Sequence, residues 1–67
     1  MLVTINSQPT KLPEEISNVR DLLGFLKIPT TGTGVAINGN LIIAKNWDSH
    51  RLQPDDNIII INASYGG

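Results

Sequence analysis

Four consecutive isoleucines, residues 58–61, have to be accommodated by a chain of only 67 residues. An unbroken apolar run of this length, preceded by the turn residues Gln53-Pro54-Asp55-Asp56, reads as a strand over residues 57–63. Its continuous apolar character argues for a central place in a sheet, buried on both faces or nearly so. A chain of this size buries only roughly 60% of the surface its unfolded form exposes. It has no cysteine, so neither disulfides nor a thiolate metal site can staple it. Stability must come from aliphatic packing, which a hydrophobic content of 40% can supply.

The remaining segments say what surrounds that strand. Leu2-Val3-Thr4-Ile5-Asn6 is β-rich, with Val3 and Ile5 on one face. Asn6-Ser7-Gln8-Pro9 supplies turn chemistry. Thr10-Lys11-Leu12 returns as a short edge strand bracketed by Pro9 and Pro13. Ser17 or Asn18 then caps a helix that carries Asp21 in its first turn. Val19, Leu22, Leu23 and Leu26 recur at i, i+3, i+4 and i+7 as one apolar stripe, Lys27 falls in the last turn, and Pro29 cannot continue the helix. Gly24 inside this pattern costs roughly 1 kcal/mol against Ala. Residues 30–34 form a loop. It lacks the Lys-Ser/Thr ending of a phosphate-binding loop and follows a helix instead of leading into one. Asn38-Gly39, flanked by Val35-Ala36-Ile37 and Leu41-Ile42-Ile43, is a type I′ hairpin signal. Residues 44–51 read as a short irregular or helical segment anchored by Trp47.

The order strand, strand, helix, strand, strand, short segment, strand leaves one helix to cover one face of a mixed sheet. The expected fold class is a two-layer α+β domain. With the first and last strands as parallel central neighbours, it becomes a β-grasp, ubiquitin-like arrangement over residues 1–63, followed by a flexible tail, 64–67. One helix covers only one sheet face, and Ile58 and Ile60 point to the face opposite Ile59 and Ile61. One of these pairs must therefore face away from the helix; parity alone leaves open which, and Ile59 and Ile61 are the candidate partner surface. Cover by Trp47 and its segment is the alternative.

Catalytic constellations are sparse. His50 is the only histidine and reads as a solvated surface residue. Glu14-Glu15 and Asp55-Asp56 are adjacent pairs and not a catalytic dyad. Five basic and six acidic residues, net charge −1, give no basic footprint for nucleic acid. No apolar stretch reaches the ~20 residues of a membrane span, and there is no secretory leader pattern. The expectation is a cytoplasmic protein that is not itself an enzyme. The sequence ends on Gly66-Gly67, which cap nothing and turn nothing. What they offer is slenderness: Ser64, Tyr65, Gly66 and Gly67 can thread a narrow partner site and present the Gly67 carboxylate as the reactive group. The bland alternative is a frayed terminus.

In length, in Val35-Ala36-Ile37-Asn38-Gly39 before an apolar strand, in Trp47, in Leu52 before an acidic turn, and in the isoleucine strand running into Gly66-Gly67, the chain resembles the ThiS family of sulfur carriers of thiamine biosynthesis. The resemblance implies that a ThiF-type enzyme, using ATP and Mg2+, adenylates Gly67. It implies that a sulfur donor fed by a cysteine desulfurase then makes a thiocarboxylate there. A ThiG-type thiazole synthase would take the sulfur, and no cofactor would be held stably by the carrier itself. Two departures stand out. Ala44-Lys45 occupies the place of a frequent Pro-Arg, and Asp55-Asp56 that of a frequent Gly-Asp. Tyr65 is bulky for a threading tail and suits a specificity contact with the adenylating enzyme. The alternatives are a MoaD-type carrier for molybdopterin synthesis, a ubiquitin-like protein modifier, and a plain interaction domain.

Overall fold

The computed structural model describes residues 1–63. Five strands and one α-helix follow in the order β1 (Leu2–Ile5), β2 (Gln8–Lys11), α1 (Val19–Phe25), β3 (Thr33–Ile37), β4 (Asn40–Leu41) and β5 (Asn57–Asn62), with a 3-10 turn at Ala44–Asn46. The sheet order is β2-β1-β5-β3-β4. β1 and β5 run parallel at the centre, while β2, β3 and β4 each pair antiparallel to a neighbour. This is the mixed sheet with one helix expected of a β-grasp.

The isoleucine run does lie in the central strand, but it is not buried on both faces. Burial alternates strictly along β5: Ile58, Ile60 and Asn62 are buried, whereas Ile59 and Ile61 are 39% and 67% exposed. The reason is the single helix. Val19, Leu22 and Leu23 of α1 share one core with Val3, Ile5, Val35, Ile37, Ile58 and Ile60, all on one side of the sheet. Truncating a fully buried member such as Leu22 to Ala costs about 2–5 kcal/mol.

Several boundaries differ from the sequence reading: β3 begins at Thr33, inside the expected loop, and β5 ends at Asn62, one residue early. β2 begins at Gln8 and contains Pro9. β2 is an edge strand, where the missing proline N–H breaks no ladder. β4 stops at Leu41 because Ile42 turns inward against the core. The helix stops at Phe25, one turn early, and Lys27 lies beyond its C-cap at φ 59. There the Ile28 N–H bonds to Leu23 O at 2.9 Å and the Lys27 N–H to Gly24 O at 3.1 Å, the pairing of a Schellman motif.

At the other end, Asn18 is the N-cap and its side-chain oxygen accepts the Asp21 N–H at 2.7 Å. Asp21 reaches back to accept from both the N–H and the hydroxyl of Ser17, each at 3.2 Å. The segment around Trp47 completes this cap: the Val19 N–H bonds to His50 O and the Arg20 N–H to Trp47 O. Trp47 is 2% exposed, and its indole N–H donates to Ile42 O at 2.9 Å. It anchors the segment within the helix-side core and leaves Ile59 and Ile61 uncovered.

Candidate functional site

The outer face of the sheet follows from parity and register. Ile59 pairs with Ala36, Ala36 pairs with Leu41, and Ile61 pairs with Gly34. Leu41, Ala36 and Ile59 thus form one apolar row across β4, β3 and β5. Ile61 lies next to the smallest residue there is. Small residues on β3 leave the flanking aliphatic side chains standing clear: Leu41 is 70% exposed and Ile43, two residues on, is 46% exposed. Leu41 and its row escaped the sequence reading. Yet a two-residue Asn-Gly loop fixes Ala36 opposite Leu41 once the hairpin is recognised.

Asn38 links two turns at one end of the sheet. Asn38, at φ 52, and Gly39, at φ 85, form the expected turn, since both central residues of a type I′ turn need positive φ. The Asn38 carboxamide accepts the Asn57 N–H at 2.9 Å and donates to Asp56 Oδ1 at 2.9 Å. Asp56, 6% exposed, also accepts the Gln53 N–H through Oδ2 at 2.8 Å. The hairpin and the turn before β5 are therefore one hydrogen-bonded unit. Asp55 stands in that turn at φ 69, where an aspartate is tolerated and a glycine would be relaxed.

At the far end of β5, Asn62 is 4% exposed, and its Nδ2 donates to Thr31 O at 3.2 Å and to Thr33 Oγ1. The Ala63 N–H bonds to Gly32 O at 3.3 Å. Ser64, Tyr65, Gly66 and Gly67 lie outside the described residues. Among the described residues no group of three or more His, Cys, Asp or Glu comes together to hold a metal ion, and no helix is long and apolar enough to cross a membrane. His50 is half-buried and gives its carbonyl to the helix cap.

With this geometry in view, the chain matches the ThiS family over residues 3–67. The chain belongs to the ThiS family. The family comprises the small sulfur carriers of thiamine biosynthesis, and its β-grasp sheet is the one described above. Two solved structures from Geobacter metallireducens are similar. The crystal structure of its thiamine biosynthesis protein ThiS superposes with a TM-score of 0.82 at 26% identity, covering 100% of both chains. The solution structure of a thiamine biosynthesis protein from the same organism gives 0.79 at 26% identity, covering 100% of this chain and 88% of that one. No curated protein matches the chain.

Proposed function

We propose that this ThiS-family chain carries sulfur as a thiocarboxylate on Gly67 and delivers it for thiazole formation. A ThiF-type enzyme with ATP and Mg2+ joins AMP to the Gly67 carboxylate and releases pyrophosphate. The acyl-adenylate makes a poor electrophile into a good one. A persulfide derived from a cysteine desulfurase attacks the carbonyl carbon and displaces AMP. A thiol then cleaves the resulting acyl disulfide, leaving the thiocarboxylate and a disulfide. A ThiG-type thiazole synthase takes up that sulfur.

The observation that carries this reading is the family match, which extends to Gly67 itself. The absence of any cysteine supports it, because the sulfur cannot ride on a side-chain thiol of this chain. Exposed Leu41 on β4 and exposed Ile59 and Ile61 on β5 support an apolar docking face, and β5 is the strand that residues 64–67 follow. An enzyme gripping that face receives the terminal glycines at high effective concentration, which removes much of the entropy cost of finding them.

The test is ATP–pyrophosphate exchange catalysed by the ThiF-type enzyme of the same organism. Deleting Gly67 abolishes exchange while leaving the urea unfolding curve unchanged. A deletion variant still adenylated at the wild-type rate contradicts the proposal.

A further inference from the structure

The last described residues of the chain are fastened to residues 29–33, the segment that leads into β3. Asn62 ends β5 with its side chain on the buried face. Every other buried position of that strand is isoleucine, so an apolar residue would serve packing better here. A buried carboxamide costs free energy unless its hydrogen bonds are made. Its Nδ2 faces one segment, with Pro29 O at 3.4 Å, Thr31 O at 3.2 Å and Thr33 Oγ1 as its partners there. Thr33 Oγ1 donates in turn to Pro29 O. The Ala63 backbone joins the same loop through Gly32 O, and Gly32 takes φ 76 to present that carbonyl. Two successive residues at the root of the C-terminus are thereby tied to residues 29–33.

We infer that Asn62 is a positioning residue that, with Thr33, Thr31 and Gly32, fixes the direction in which the C-terminal glycines leave the sheet toward the adenylating enzyme. The inference rests on the carrier reading above. The docking face of Leu41, Ile59 and Ile61 sets where the body of the protein sits. The lock at Asn62 and Ala63 holds the backbone that residues 64–67 follow. A root free to swing lowers the fraction of docked complexes with the Gly67 carboxylate in reach. A displacement of about 1 Å can cost up to ~10²-fold in rate. The signature is a loss in kcat with the affinity of docking preserved, because Asn62 lies on the sheet face opposite Ile59 and Ile61.

Two variants test this: Asn62→Leu, which keeps the buried side chain but removes the amide, and Thr33→Val, which removes the hydroxyl from the loop side. Docking to the ThiF-type enzyme of the same organism is measured by calorimetry without ATP, and the rate by ATP–pyrophosphate exchange. The backbone ¹⁵N heteronuclear NOE at Ala63 reports the lock itself. The expected result is a Kd within about twofold of wild type, a kcat lowered about tenfold, and a reduced NOE at Ala63 in both variants. An unchanged kcat with a reduced NOE overturns the inference. So does a loss of affinity equal to the loss of rate. If Asn62→Leu fails to fold, Thr33→Val carries the test alone. If wild type itself supports no exchange with an enzyme active on another carrier, the carrier reading falls, and this inference with it.

Discussion

The carboxamide of Asn6 holds the backbone of Ile60 from both sides: its Oδ1 accepts the Ile60 N–H at 2.8 Å and its Nδ2 donates to the Ile60 carbonyl at 3.1 Å. β1 pairs with β5 only through Thr4 and Ile5 in register, and the chain turns away at Asn6. The side chain then continues the ladder where the backbone no longer can. Asn6 sits at φ 48, a conformation asparagine tolerates better than most residues.

Replacing Asn6 with Ala removes both bonds and leaves buried peptide groups of Ile60 unpaired. The expected cost is about 2 kcal/mol, and Asn6→Asp does not recover it, because the acceptor it keeps comes with a second carboxylate oxygen set against the Ile60 carbonyl. Urea unfolding measures it. A loss below about 0.5 kcal/mol for Asn6→Ala would show that water replaces the side chain without penalty.

Asp55 makes the opposite kind of prediction. At φ 69 its backbone is strained by its own Cβ. Asp55→Gly relieves the strain and leaves stability equal or higher, whereas Asp55→Ala lowers it by about 1 kcal/mol. Equal midpoints for the two variants would show that the turn relaxes to another conformation.

The Asn38–Asp56 bond couples the hairpin to the turn before β5. In a double-mutant cycle with Asn38→Ala and Asp56→Ala, the coupling energy is expected at about 1 kcal/mol or more. Strict additivity of the two substitutions would mean that the two turns form independently.

The elements themselves were legible in the sequence, because their signals are local. The stripe of Val19, Leu22 and Leu23, the Asn38-Gly39 turn and the Val3/Ile5 alternation each depend on residues a few positions apart. The central, parallel placement of β1 against β5 was legible too, since a single helix and an isoleucine strand leave few alternatives. The misreading of β5 as buried on both faces has a clear source. A continuous apolar run hides parity; the count of covering layers shows that one pair stays outside, and only the packing of α1 against Ile58 and Ile60 shows that it is Ile59 and Ile61. The asparagine locks were illegible for another reason. Asn6, Asn38 and Asn62 bond to partners 54, 18 and 33 residues away, respectively. Local reading gave Asn6 and Asn38 only turn chemistry and gave Asn62 no role. Of the proposed site, the pairing of Ala36 with Leu41 could have been derived from the hairpin register, whereas that of Ala36 with Ile59 depends on the long-range pairing of β3 with β5.

Parity gives the sharpest test of the docking face. Ile60→Asp buries an unpaired carboxylate and unfolds the protein. Ile61→Asp, one residue on, costs no more than about 1 kcal/mol because its side chain faces water. It nonetheless weakens binding to the ThiF-type enzyme at least tenfold, by removing an aliphatic side chain from the docking face and setting a charge in its place. Unchanged affinity for Ile61→Asp would move the docking face elsewhere.

The central claim is that the reactive group is the carboxylate of Gly67. Intact-mass spectrometry tests it after incubation with ATP, Mg2+, the ThiF-type enzyme and a persulfide donor. The account predicts a mass gain equal to replacement of one oxygen by sulfur, mapped to Gly67 by fragmentation. No gain, with the same enzyme and donor shown active on another carrier, would contradict it.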